Sequence, residues 1–251
     1  MKKMPLYSFL LFIVLLILWE MAAENISELI LPAPSIIFST LLEGIKSGYF
    51  MPHIMRTMTE VLLGLLFGGL FGFLVAILMG EVQFIRKLFL PYIIASQAVP
   101  KLALAPLFIL WFGFGMTSKV VITALICFFP LLENTVTAIQ YTDKQKQELF
   151  RMLGASRWKT LLYLKIPAGM PGIIAGLRVA VILAIVGAVV GEFIGGSEGL
   201  GAVIVASQGM MDTPLMFASL ILLTIIGMFL YQGVNVIEKK WVRRYAKEIK
   251  K

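Results

Sequence analysis

The stretch VLLGLLFGGLFGFLVAILM, residues 61–79, carries no charged side chain and no side-chain amide. In water such a run would need burial on every side. In hydrocarbon it need only satisfy its own backbone, which an α-helix does within one segment. Five further runs are mainly apolar, each carrying only one or two charged or amide side chains. The sequence therefore predicts an all-α polytopic membrane protein with six helices at about 6–22, 61–79, 88–112, 120–138, 172–194 and 214–236, forming a single transmembrane unit over residues 1–251. Composition agrees, because 59% hydrophobic and 14% charged residues leave too little polar surface to cover a soluble core of this size. The short alternating runs of a membrane barrel are absent. The opening MKKMPLYSFLLFIVLLILWEMAAE places two lysines before an apolar run, as a cleaved secretion signal does. The run is long for that purpose and Trp19 and Glu20 suit a cleavage site poorly, so it reads as the first span.

Within the third run, SQAVPKLALAP holds Pro100 and Pro106. Each lacks a backbone donor, which predicts a kinked or interrupted helix. Basic residues set the orientation, since they gather in short cytoplasmic loops. With the N-terminus inside, Lys2, Lys3, Arg86, Lys87, the basic residues from Lys144 to Lys165 and those from Lys239 to Lys251 all fall on the inner side. Only Lys46, Arg56 and Lys119 fall outside, and Lys101 and Arg178 lie within spans. The net charge of +8 is thus a topology signal, and no groove of mixed basic and aromatic residues speaks for nucleic acid. His53 is the single histidine and Cys127 the single cysteine, which excludes an intrachain disulfide and leaves no grouping for a metal. His53 reads as an interfacial side chain near the end of an outer segment that holds a short surface helix after Pro32 and Pro34.

Lys101, Arg178 and Glu192 are ionisable residues in or near the spans. A charge at the bilayer centre costs roughly 2.5–3.5 kcal/mol on insertion scales, so such residues face the bundle interior or water. They are candidates, with Pro100 and Pro106, for lining or shaping a pathway. Arg178 and Glu192 lie about 21 Å apart on one helix at 1.5 Å per residue, so each needs another partner. Arg178 reads equally as a side chain reaching the inner headgroups, Glu192 as a gate or an anchor near the outer end, and Lys101 as an architectural residue. Gly64, Gly68 and Gly72 recur every four residues, as do Gly187 and Gly191, a spacing for close helix approach within the subunit or across a dimer.

The segment 141–167 is the longest polar connection on the inner side. Leu149, Met152 and Leu153 fall at helical spacing, Gly154 and Ala155 follow, and Ser156 stands where it would cap a second helix bearing Trp158, Leu161 and Leu162, which Pro167 is expected to stop. Two short amphipathic helices meeting at a glycine fit either a membrane surface or a dock for a soluble partner.

Glu148, Gly154, Leu164, Ile166 and Pro167 are similar in identity and spacing to the signature of binding-protein-dependent ABC importer permeases. Leu149 and Phe150 stand where that family usually has alanines. The strings LGASRW, VPKLALAPLFILWFGFG and GEFIGGSEGLG resemble the branch that carries nitrate, sulfonates, taurine, bicarbonate and vitamin precursors. The resemblance implies a type I ABC importer permease in a bacterial cytoplasmic membrane, both termini cytoplasmic, with 141–167 as the cytoplasmic coupling segment. It implies partners as well: two copies of a cytoplasmic ABC ATPase, an extracytoplasmic solute-binding protein, a second permease copy and membrane lipid. No cofactor is expected in this chain, ATP and Mg belonging to the ATPase, and no GxxxxGK[ST] phosphate loop occurs in the sequence. A proton- or ion-coupled secondary transporter with Glu192 as proton site is the alternative. A membrane-embedded enzyme is disfavoured because no nucleophile and base converge.

Overall fold

The structure, a computed structural model, describes residues 4–248. Lys2, Lys3, Lys250 and Lys251, counted above among the inner cations, lie outside them. The described residues form helices without a strand: α1 (Met4–Ala23), α2 (Pro34–Lys46), α3 (Phe50–Glu81), α4 (Gln83–Ala98), a 3-10 turn (Lys101–Leu104), α5 (Ala105–Phe112), α6 (Met116–Gln140), α7 (Lys144–Met152), α8 (Arg157–Thr160), a π turn (Leu161–Lys165), α9 (Ile166–Gly195), α10 (Leu200–Met210) and α11 (Thr213–Glu248).

Four helical runs are long and apolar enough to cross a bilayer: Phe50–Glu81, Met116–Gln140, Arg157–Gly195 and Thr213–Trp241. A fifth span is formed if α4 and the pair Lys101–Phe112 are taken together, although they bend by 84°. In α1 the apolar stretch Phe9–Ala23 is shorter. The sequence pattern saw the oily middle of each helix but not its ends. Thus α3 starts at Phe50, well before Val61, because Arg56, Thr57 and Glu60 find polar partners inside the fold. This also takes His53 out of the outer loop and into α3.

Helix α6 is the centre of the bundle, and glycine places it there. A Cβ on Gly72 would come 2.7 Å from the Phe128 carbonyl oxygen, and one on Gly187 would come 2.9 Å from Thr123 Cα. Gly64 and Gly68 meet Thr123 and Ala124 in the same way, and Gly191 meets Lys119. The glycine stripes of α3 and α9 therefore both clasp α6, and the packing is within the subunit. Apolar clusters fill what remains: Val61, Cys127, Ala180 and Ala184 between these three helices, and Ile37, Leu41, Phe50, Leu200 and Leu222 where α2, α3, α10 and α11 converge. Outward, Leu66, Leu70 and Phe71 remain exposed, which suits a face bathed in lipid.

Pro100 explains the broken span. Its ring excludes the α conformation from the preceding residue, and Val99 is extended at φ −71°, ψ 126°. Pro106 does not interrupt the helix, contrary to expectation. It sits in the first turn of α5, where a missing N–H costs nothing. A second correction concerns Pro167. Helix continues from Arg157 to Gly195, with Pro167 in the opening turn of α9. The π turn just before it shifts the hydrogen-bond register by one residue and absorbs the missing donor.

Candidate functional site

Three regions collect the polar and chemically distinctive side chains. The first is the elbow between α6 and α9. Asp143 caps α7, its side chain accepting from Gln145 N–H at 2.9 Å. The helix ends at Met152, and Gly154 adopts φ +72°, a left-handed conformation that turns the chain at low cost. Ser156 Oγ then accepts from Lys159 N–H at 3.3 Å and starts α8. Leu149, Met152 and Leu153 are exposed, Met152 at 85% and Leu153 at 74%, and Glu148 is exposed beside them. Ala155 is partly covered and Ser156 exposed. The remaining sequence-predicted members separate from this face. Leu164 is buried in the bundle, as is Leu161, while Ile166 and Pro167 are half-buried where α9 begins. Trp158 and Leu162 point outward, so the second helix does not present a single apolar face. Lys165 pairs with Glu81 at 2.7 Å and fastens the elbow to the C-terminal end of α3.

The second region is the break in the α4–α5 span. Lys101 Nζ lies 4.4 Å from the centre of the Phe129 ring, a favourable cation–π geometry. Pro100 and Lys101 line a cavity of about 510 Å3 with Gln97, Phe129, Glu133 and Asn134. Pro106 is not among its lining residues.

The third region is an ion network where the start of α3, the start of α6 and the end of α9 meet. Glu192, 1% exposed, accepts from Thr57 Oγ1 on one carboxylate oxygen and from Gly201 N–H on the other, each at 2.6 Å. Thr57 Oγ1 accepts in turn from Leu200 N–H at 2.9 Å, and His53 Nδ1 from Gly199 N–H at 3.2 Å. Glu60 takes Arg56 at 3.0 Å and Lys119 at 3.1 Å, with Lys119 only 2% exposed. Lys119, expected in an outer loop, is thus a buried cation. Arg56 also reaches Glu198 at 3.9 Å. The pattern GEFIGGSEGLG acquires a physical reason here. The chain folds back on the Glu192 carboxylate, and a Cβ on Gly201 would stand 2.7 Å from its Oε2.

Arg178 belongs to none of these regions. It pairs with Glu238 across α9 and α11. Sequence reasoning named Glu192 but missed Glu60, Lys119, Thr57 and Glu133. Arg56 four residues before Glu60 at the mouth of an apolar run is the signal that could have found the first of them. Among the described residues no group of histidine, cysteine and carboxylate side chains could hold a metal ion.

Long apolar helices clasped around α6, a broken span and an exposed elbow define a polytopic helical membrane protein. The chain belongs to the family of binding-protein-dependent transport system inner membrane components, whose pattern matches residues 68–244. It is 36% identical over 231 residues to the riboflavin transport system permease protein RibX of Chloroflexus aurantiacus, covering 91% of this chain and 86% of that one. It is 34% identical over 231 residues to the formylaminopyrimidine transport permease protein ThiX of Halalkalibacterium halodurans, covering 91% and 92%. It is 28% identical over 234 residues to the taurine transport system permease protein TauC of Escherichia coli, covering 91% and 85%. The fold is similar to that of a chain of the MetNI methionine ABC transporter solved in inward-facing conformations, with a TM-score of 0.68 at 16% identity over 76% of this chain and 95% of that one.

Proposed function

We propose that this chain is the permease subunit of an ATP-driven importer, six-spanning with both termini cytoplasmic, and that two copies form the path for a small solute handed over by an extracytoplasmic binding protein. ATP and Mg belong to two copies of a separate ATPase, whose closure moves the coupling segment 141–167. The observation that carries this reading is the elbow itself. Leu149, Met152 and Leu153 lie exposed at the end of α7, uncovered among the described residues, beside Glu148, and the turn behind them is fixed by Gly154, the Ser156 cap and the Lys165–Glu81 pair. A rigid elbow transmits displacement, and its apolar tip suits a groove on a soluble partner. The bulk of Leu149 and Phe150 then calls for a roomier groove than two alanines would.

The ion-coupled alternative would use Glu192 as proton site. Its two oxygens are already engaged by Thr57 and Gly201 in a buried corner, an arrangement suited to fastening a loop. ATP depletion separates the two readings, because uptake driven by a proton gradient survives it when the gradient is held. Gly154→Pro and Glu148→Arg should each leave the chain inserted and the ATPase active while lowering uptake about 5- to 150-fold, the range of ordinary coupling free energies. A Met152→Cys probe should crosslink to a co-purified ATPase. Full uptake in both variants, or a crosslink to lipid alone, overturns the docking role.

A further inference from the structure

Helix α6 presents a line of side chains that neither the elbow nor the Glu60–Glu192 network uses. Phe129, Glu133 and Thr137 follow one another at one-turn intervals on one face, and Glu133 and Thr137 are exposed in mid to inner span. Glu133 and Gln97 line two adjoining cavities, of about 510 and 230 Å3. The larger reaches the break at Val99–Pro100 and Lys101, and the smaller runs toward Arg86 and Tyr141 at the inner mouth. Extended backbone at Val99 and Pro100, a lysine and a carboxylate cannot all face acyl chains cheaply, so this face borders water. Lys101 rests over Phe129, and Glu133 follows one turn later, about 6 Å along the axis. Among the described residues, neither enters an ion pair.

We infer that the two joined cavities are a stretch of the solute path, and that Lys101 and Glu133 fit it to a neutral or zwitterionic solute with a flat or apolar body. This inference rests on the permease reading and adds a cargo class to it. Lys101 offers a donor and positive charge, Glu133 an acceptor and negative charge, and Phe129, with Lys101 over its ring, an aromatic surface beside them. Val179, Leu183 and Val186 of α9 supply the apolar wall. A net anion drawn by Lys101 next meets Glu133, which repels it in mid-span. A zwitterion meets an opposite charge at both ends, and a neutral heterocycle finds both hydrogen-bond partners.

Cysteine chemistry tests this in membrane vesicles holding the complete transporter. The native Cys127 is buried, so the parent chain serves as blank, and Leu70→Cys, on the outward apolar face of α3, as lipid control. Gln97→Cys is exposed to two impermeant methanethiosulfonates of similar size, one bearing a trimethylammonium group and one a sulfonate. It should react with both at least about tenfold faster than Leu70→Cys, with rates for the two reagents within about threefold of each other after correction for their intrinsic reactivity. Adding Glu133→Gln should favour the anionic reagent about tenfold, and adding Lys101→Gln should favour the cationic one similarly, as expected for one charge at short range in a partly screened site. Reactivity no greater than at Leu70→Cys overturns the path. A strong native preference for either reagent, or no change on Glu133→Gln, overturns the cargo class. The permease reading is read separately, from whether ATP changes Gln97→Cys reactivity at all.

Discussion

At the scale of single residues, the Glu60–Glu192 network is where burial and charge meet most sharply. Glu60 and Lys119 are almost fully enclosed, and Lys119 depends on Glu60 while Glu60 is shared between Lys119 and the more exposed Arg56. Removing one partner of a buried pair leaves an uncompensated charge, commonly at a cost of about 3–5 kcal/mol, whereas replacing both with apolar residues is often near neutral. Glu60→Ala should therefore lower the thermal unfolding midpoint in detergent sharply, and Glu60→Leu combined with Lys119→Met should recover most of the loss. A double variant no better than the single one would mean that Arg56 and Glu198, and not the pair, dominate the site. The same scale accounts for Glu192, whose carboxylate fastens the start of α10 to the end of α9.

At the scale of elements, the clasp of α3 and α9 on α6 depends on hydrogen atoms where other residues have side chains. Gly68 would press a Cβ directly into the Ala124 backbone, while Gly209 has open space around it. Gly68→Ala should cost about 1–3 kcal/mol, the usual penalty for overpacking, seen as a smaller monodisperse fraction and a lower midpoint. Gly209→Ala should leave both unchanged or slightly improved, since alanine favours helix over glycine. Equal behaviour of the two variants would mean that the helices separate readily at the Ala124 contact. The break at Pro100 and the π turn before Pro167 are the complementary case: two prolines, one ending a helix and the other accommodated inside a helical run. Proline's chemistry is identical in both. The difference lies in whether the neighbouring turn can shift its register, which no local pattern reveals.

At the scale of the whole molecule, the coupling proposal requires the bundle to move as a body when the elbow moves. The Lys165–Glu81 pair ties the elbow to α3, and α3 to α6 through the glycines, so force has a stiff route. Exchanging the pair, Lys165→Glu with Glu81→Lys, should retain uptake within about threefold, while Lys165→Glu alone should lower it about tenfold, within the range of coupling effects; uptake in right-side-out vesicles at saturating ATP measures both. Equal loss in the single and the exchanged variants would assign the role to position and not to attraction. Much of this architecture is legible in the amino-acid sequence. Runs such as 61–79 state their solvent directly, because hydrophobicity is a local property and lipid accepts it without a partner. The left-handed turn at Gly154 and the cap at Ser156 are equally local, and both stand where the sequence placed them. Glu60, Lys119 and Glu133 were invisible for the opposite reason. A charge near or within an apolar run has no meaning until its counter-charge or its cavity is known, and those lie on helices distant in the chain. Sequence alone determined that the chain lives in a membrane as helices with an elbow between two of them, since periodicity and turn chemistry are written residue by residue. Only the tertiary structure decided which charges are fastened and which are open to water, because burial is a property of what packs alongside.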